Sequence, residues 1–185
     1  MKNIDFFHPL MSFIPGSLIL LYILGLLLHQ CRAGSIDQVG SSYLMAYASN
    51  IGEYTYYRFS FAPQTEIQSN AFIEAIFPQE FSVFDFPATL ECTLKVGTGR
   101  FIPQICKYNT GNIIRVQLSQ ILSTNMELVI GLIHNPSGIT STSSFRLQTL
   151  YGNVVTDRND IFGFISYATP PGKQNSSIKT KKYIY

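Results

Sequence analysis

The chain has 185 residues, of which 46% are hydrophobic, 14% aromatic and only 13% charged, with a formal net charge of +2. About 25% of an average globular protein is charged, so this chain is poor in charged residues. Residues 35–172 carry seven basic and ten acidic residues, a net charge of −3. This balance argues against a nucleic-acid partner, because phosphate binding needs a clustered basic surface.

The N-terminal segment has the order of a secretory signal. Lys2 precedes residues 17–28 (SLILLYILGLLL), which carry no charge, and residues 31–34 (CRAG) follow with small side chains. A basic start, an apolar stretch and a small-residue cleavage site are typical of a signal peptide. We therefore predict that residues 1–34 are a hydrophobic signal helix, cut after Ala33 or Gly34.

The main alternative is an uncleaved signal anchor. Residues 10–28 supply nineteen positions for a membrane span only if Pro15 and Gly16 are included, and a span needs about 20. A buried cytosolic helix is a third interpretation. The first two predict a domain that is secreted or lies on the extracellular face of a membrane.

Two cysteines lie outside the signal, Cys92 and Cys106. Two cysteines in an exported domain normally pair, and this spacing suits two neighbouring strands. The bridge would contribute about 3 kcal/mol by the loop-entropy model. Two buried free thiols are the alternative for a cytosolic protein.

Alternation of apolar and polar residues recurs along the chain and predicts strands. In residues 55–61, Thr55, Tyr57, Phe59 and Phe61 share one face. Residues 126–133 are almost continuously apolar, which predicts a central strand covered on both faces. The other predicted strands are residues 43–48, 71–77, 92–96, 114–118, 145–149 and 162–167.

Turn signals separate these strands every eight to twelve residues or so, and residues 157–160 are one of the predicted turns. The pattern predicts an all-β domain over residues 35–170. We expect two antiparallel sheets packed as an immunoglobulin-like β-sandwich, with a closed barrel as the alternative. A single helical turn is expected at residues 119–123.

The C-terminal tail, residues 171–185, is polar and basic, with Lys173, Lys179, Lys181 and Lys182. We predict a disordered end or linker. Its sequon, Asn175-Ser176-Ser177, makes Asn175 a predicted glycosylation acceptor in an exported protein.

Several segments follow one another in a recognisable order: YTYYRFSFAP, then Ile76-Phe77-Pro78 at the end of a strand, then the cysteine pair, then Asn135-Pro136 leading to Ser144-Phe145. In this order they resemble the extracellular β-sandwich modules of ciliate surface proteins. The resemblance covers residues 54–155 approximately. The resemblance implies a secreted or surface location and no known catalysis. The chain lacks the cysteine-rich repeats that are frequent in those proteins.

Catalytic and metal-binding signals are weak. His134 is the one histidine after residue 34, and it sits at a strand end, where we expect a structural role. A zinc site needs three or four Cys, His or carboxylate ligands, and the residues after position 34 do not readily supply such a set. Calcium at Asp157, Asn159 and Asp160 is an alternative to a plain turn. We therefore expect no enzyme, no metal and no cofactor.

Tyr54 and Tyr56 point away from the face that carries Tyr57, Phe59 and Phe61. They form either a candidate ligand platform or part of a strand covered on both faces. The sequence favours a non-enzymatic module at the cell surface with a structural or protein-binding role. The alternative is a carbohydrate-binding module using exposed Tyr or Phe. Across both interpretations, the expected partner is a protein or a glycan at the cell surface. A membrane is a partner only if the N-terminal segment is uncleaved.

Overall fold

The structure is a computed structural model that describes residues 33–40, 43–138 and 141–168. The described residues form one compact unit. Residues 1–32 of the predicted signal helix, the whole predicted tail and Asn175 lie outside the described residues, and Gly34, the last residue of the predicted signal, begins a strand. Among the residues described, no helix is long and apolar enough to cross a bilayer.

The described chain is all-β, as the alternation predicts. Its strands are β1 (Gly34–Gln38), β2 (Leu44–Ala46), β3 (Tyr54–Pro63), β4 (Phe72–Ile76), β5 (Glu91–Val96), β6 (Ile102–Gln104), β7 (Cys106–Asn109), β8 (Ile113–Gln117), β9 (Met126–His134), β10 (Phe145–Tyr151) and β11 (Val154–Gly163). One 3₁₀ turn, Val83–Asp85, lies between β4 and β5.

The strands form one continuous sheet in the order β6-β5-β9-β3-β1-β11-β10-β4-β8-β7, with β2 added to β3. Strand β1 joins two halves of the sheet: β6-β5-β9-β3 with β2 on one side, and β11-β10-β4-β8-β7 on the other. Its residues Gly34 and Ser35 pair in parallel with β11, whereas Ile36, Asp37 and Gln38 pair antiparallel with β3. The strands that we expected in two antiparallel sheets thus belong to one large sheet, and β1 pairs with β11 in parallel.

The ends of this sheet approach each other, so that it is nearly closed into a barrel. Strand β6 ends at Gln104 and β7 begins at Cys106, so the chain passes from one end of the strand order to the other across Ile105. The predicted Cys92–Cys106 disulfide is present, with the two Cα atoms 6.1 Å apart. It joins β5 to β7 across the same gap.

The core lies between the two halves and is filled by alternate side chains of their strands. Strand β3 buries Thr55, Tyr57, Phe59 and Phe61, as the alternation predicts. The ring of Phe77 contacts those of Tyr57, Phe59, Phe81, Phe86 and Phe145 at centroid distances of 5.0–6.1 Å. Edge-to-face packing of this kind adds to the free energy of apolar burial.

Four sequence expectations about local structure are wrong. Strand β9 is central but covered on one face only: Leu132 is 38% exposed and Val129 is half-buried. Residues 119–123 form no helical turn, because Leu122 pairs with Ile67 in an isolated bridge. The predicted strand at residues 162–167 overlaps β11 only at its end, and the predicted turn at residues 157–160 lies inside that strand.

Candidate functional site

The outward face of β3, β9 and β5 carries a shallow depression of about 250 Å³. We call it the aromatic depression; its lining residues are Tyr47, Tyr56, Thr93, Phe101 and Val129. The sheet determines which of these side chains are neighbours. Thr93 of β5 pairs with Val129 of β9, and the amide of Tyr47 donates to the carbonyl of Tyr56 at 3.0 Å.

Tyr56 is held in place at both ends of its side chain. Its ring lies against Gly131, since a Cβ on Gly131 would be 2.1 Å from Tyr56 Cε1. Its hydroxyl donates to Glu91 Oε2 at 3.0 Å, and Glu91 is the ladder partner of Gly131. This hydrogen bond raises the pKa of the Tyr56 phenol, because the bond requires the phenol to keep its proton.

A β-bulge makes the space for this ring. The register of β3 and β9 shifts between Thr55 and Tyr57, so that Gly131 and Leu132 lie opposite Tyr56. Leu132 has φ of 61°, in the left-handed region that is unfavourable for a residue with a Cβ. Strained backbone and bulges are frequent at functional sites, so this part of the sheet is a candidate site.

The rings of the depression form a corner and not a flat surface. Tyr47, 54% exposed, meets Tyr56 edge to face at a centroid distance of 6.4 Å and an interplanar angle of 86°. Phe101, 44% exposed, bounds the opposite side. The Nζ atom of Lys95 lies 5.7 Å from the centroid of the Phe101 ring, where a cation–π attraction is favourable.

Charged side chains border the aromatic depression. Glu127 of β9 accepts from Lys95 Nζ at 2.8 Å and pairs with Arg58 Nε at 3.2 Å. All three side chains are about a quarter exposed. The arrangement is an apolar centre with a connected ionic border.

The two predicted platform tyrosines do not act together. Tyr54 is 65% exposed, but its ring packs on His134 at a centroid distance of 4.9 Å and does not line the aromatic depression. Tyr56 groups with Tyr47 and Phe101 instead. Sequence reasoning missed these two residues as site members. The predicted strand at residues 43–48 included Tyr47, but no local pattern shows that β2 lies beside β3.

His134 has a carboxylate partner, but the pair lacks the arrangement of a catalytic triad. Its Nδ1 atom lies 3.1 Å from Asp85 Oδ1. The Ser82 hydroxyl donates to Asp85 Oδ2 at 3.0 Å and not to the imidazole, whereas a nucleophilic serine bonds directly to the histidine. The Asp85 carboxylate thus connects the 3₁₀ turn to the end of β9.

The oxygens of the calcium alternative do not converge. Asp157 is fully buried, Asn159 Nδ2 donates to the Ile36 carbonyl at 3.0 Å, and Asp160 pairs with Arg158 on the surface. Within residues 33–40, 43–138 and 141–168, no group of three or more His, Cys, Asp or Glu side chains could hold a metal ion. These three residues lie on β11, where successive side chains point to opposite faces of the sheet.

No protein-family model and no curated protein matches the chain. Two of the solved structures that are similar to the chain have low TM-scores. The crystal structure of BslA, described as a bacterial hydrophobin, has a TM-score of 0.40 and 13% identity, covering 74% of this chain and 99% of its own. AvmM, described as catalysing macrocyclization in alchivemycin A biosynthesis, has a TM-score of 0.38 and 11% identity, covering 76% of this chain and 92% of its own.

Proposed function

We propose that the chain is an exported, non-enzymatic module that binds a protein partner through the aromatic depression. The observation that carries this proposal is the group of Tyr47, Tyr56 and Phe101 on one face of the sheet, in which Tyr56 is held in place and Tyr47 and Phe101 are exposed. Large amphipathic rings bury much apolar area at low cost in conformational entropy. Residues of this kind dominate the energetics of protein interfaces.

The surroundings of the depression favour a protein over a small molecule. Its volume of about 250 Å³ is below the usual range of about 300–1,000 Å³ for small-molecule sites. The ionic border of Arg58, Lys95 and Glu127 matches the polar rim that surrounds the apolar centre of a protein interface. Each of these three charged residues lies two positions along its strand from a lining residue (Tyr56, Thr93 or Val129), and so on the same face of the sheet.

Export is supported by two features. The Cys92–Cys106 disulfide suits an oxidising compartment, and residues 1–34 carry the signal pattern described above. Under this proposal the module is secreted or faces the extracellular side of a membrane.

The finer fold assignment is part of the proposal. An immunoglobulin-like sandwich is supported by the ring contacts of Tyr57 and Phe59 on β3 with Phe145 on β10 across the core. A relation to ciliate surface modules is supported by Ile76-Phe77-Pro78 and Asn135-Pro136, since Phe77 is central to the aromatic core and Asn135 is fully buried.

A carbohydrate ligand is the second candidate. The observation that favours it is the exposure of Tyr47 and Phe101, whose rings are free to pack against the apolar face of a sugar. The perpendicular orientation of Tyr47 and Tyr56 weighs against it, because two such rings cannot lie on one face of a sugar together.

The test compares secreted wild-type protein with the double variant Tyr47→Ala/Phe101→Ala on cells of the organism that makes the chain. Tyr151→Ala is the matched control, since Tyr151 is equally exposed (55%) but lies on β10, outside the depression. We expect the double variant to lose at least about tenfold in affinity and the control to bind like wild type. Protease treatment of the cells should abolish binding.

Other results would change the conclusion. Binding that survives protease but is lost after periodate oxidation of glycans would replace the protein partner with a carbohydrate. Equal binding by the double variant and wild type would contradict the aromatic depression as the site.

A further inference from the structure

Asp157 of β11 is a fully buried carboxylate with one oxygen unsatisfied. Its Oδ2 atom accepts from the Thr65 amide at 2.9 Å, and its own amide donates to Thr149 Oγ1 at 3.1 Å. Its Oδ1 atom has no hydrogen-bond partner among the described residues. A buried carboxylate oxygen without a donor is unfavourable and calls for a cationic or protonated neighbour.

The unsatisfied oxygen lies directly against the start of β1. Gly34 is the parallel ladder partner of Asp157. A Cβ on Gly34 would be 1.9 Å from Asp157 Oδ1 and 2.8 Å from Thr65 Oγ1. Since the backbone nitrogen is about 2.5 Å from the Cβ position, the Gly34 nitrogen lies within about 4.5 Å of Oδ1. Any residue other than glycine would displace the carboxylate.

We infer that proteolytic cleavage between Ala33 and Gly34 creates the missing partner, an α-ammonium group that forms a buried ion pair with Asp157. The inference rests on the proposed export, because this cut is one of the two that the signal pattern predicts. Hydrolysis transfers the hydroxyl of a water molecule to the Ala33 carbonyl carbon and leaves Gly34 with a free amine, which takes up a proton at neutral pH. The amide nitrogen that Gly34 has in the uncut chain thus becomes a positively charged α-ammonium group.

The α-ammonium fits this position better than the amide does. A peptide amide offers one donor in a fixed plane, whereas an ammonium offers three donors that rotate. One can reach Asp157 Oδ1 and another Thr65 Oγ1. A charge-assisted hydrogen bond of this kind compensates for the burial of both charges.

The location gives the ion pair a structural consequence. Strand β1 is the junction between the two halves of the sheet, through β11 at Gly34 and β3 at Ile36. Side-chain and backbone bonds between Ser35 and Gln64 hold the same end of β1. The ion pair would therefore strengthen the contact of β1 with β11 only in the protein from which the signal has been removed.

The test begins with secretion of the full chain from a eukaryotic host and its intact mass, which we expect to start at Gly34. The α-amine is then acetylated near pH 6.5, where it reacts before lysine because its pKa is the lower of the two. We expect the folded protein to react at least about tenfold more slowly than the same protein unfolded in urea, since an ammonium held in an ion pair has no lone pair with which to attack.

Two variants identify the partner. Asp157→Asn should raise the acetylation rate of the folded protein towards the unfolded rate. Asp160→Asn is the matched control, because it removes an exposed carboxylate from the same strand and should leave the rate unchanged. If Asp157→Asn fails to fold, an equal acetylation rate in folded and unfolded wild type still overturns the ion pair.

The failures are distinguishable. A secreted chain that starts at Ser35 or elsewhere, or one that starts at Gly34 but reacts at the unfolded rate, overturns the ion pair and leaves export standing. A chain that is retained in the cell with its first residues intact overturns export as well.

Discussion

The ring of Tyr56 lies so close to Gly131 on the neighbouring strand that a Cβ on Gly131 would be 2.1 Å from Tyr56 Cε1. The bulge at Gly131 and Leu132 creates this contact, and the hydrogen bond from Tyr56 to Glu91 fixes the ring across it. One glycine thus determines the position of the central side chain of the aromatic depression.

Replacing Gly131 with alanine should displace the Tyr56 ring. The ring must rotate outward and give up its bond to Glu91, so we expect unfolding to become easier by about 1–2 kcal/mol. The affinity for the protein partner should also fall, because Tyr56 lines the aromatic depression. Urea denaturation measures the first effect, and the cell-binding assay measures the second.

A double-mutant cycle checks the cause. In the combined variant Tyr56→Ala/Gly131→Ala, the clash is absent, so the cost should be smaller than the sum of the two single costs. Strictly additive costs would contradict the contact.

Removing the disulfide with Cys92→Ala/Cys106→Ala should lower the free energy of unfolding by about 3 kcal/mol, because the unfolded chain loses a closed loop. The bridge also holds β5 against β7, near the two ends of the sheet. The measurement is the urea midpoint of the double variant against oxidised wild type. Reduced wild type serves as the control and should resemble the variant; an oxidised protein that already has two reactive thiols would refute the bridge.

Alkaline pH should destabilise the protein through two buried tyrosines. Tyr57 donates to Asn135 Oδ1 at 2.5 Å, and its hydroxyl lies 2.8 Å from that of Tyr167. Burial raises the pKa of both phenols above the ordinary value of 10.0. Above about pH 10 the unfolded chain releases protons that the folded protein keeps, so stability is full below pH 10 and falls as the pH rises.

Tyr167→Phe should make this alkaline fall shallower, as seen in unfolding free energies measured between about pH 8 and 11. Tyr57→Phe should in addition cost about 1–3 kcal/mol at neutral pH, because Asn135 Oδ1 loses its donor. The exposed Tyr151→Phe is the control and should follow wild type. A Tyr167→Phe profile parallel to wild type would count against a raised pKa at that residue.

Asn175 should carry a glycan if the chain is exported through a eukaryotic secretory pathway. Secreted wild type should lose mass on treatment with an amidase that removes N-linked glycans. Asn175→Gln should show no such loss, whereas Asn153→Gln, outside any sequon, should behave like wild type. An unglycosylated secreted chain would refute this prediction without affecting export.

Strand prediction from the sequence succeeded where one face of a strand is buried. In β3, Tyr57, Phe59 and Phe61 alternate with less buried residues, because successive side chains of a strand point to opposite faces. It failed in β11, whose residues 157–160 contain the Asp and Asn typical of turns. Asp157 is instead buried in a strand, with a hydrogen bond to Thr65, 92 residues earlier in the chain.

The sequence by itself determined the all-β character, the positions of most strands and the pairing of Cys92 with Cys106. These follow from local rules: a side-chain period of two, turn residues between strands and two cysteines at a suitable spacing. Only the tertiary structure decided that β1 divides its pairing between β3 and β11 and that one sheet nearly closes. It also decided that Tyr47, Tyr56 and Phe101 meet, because such contacts join residues far apart in the chain.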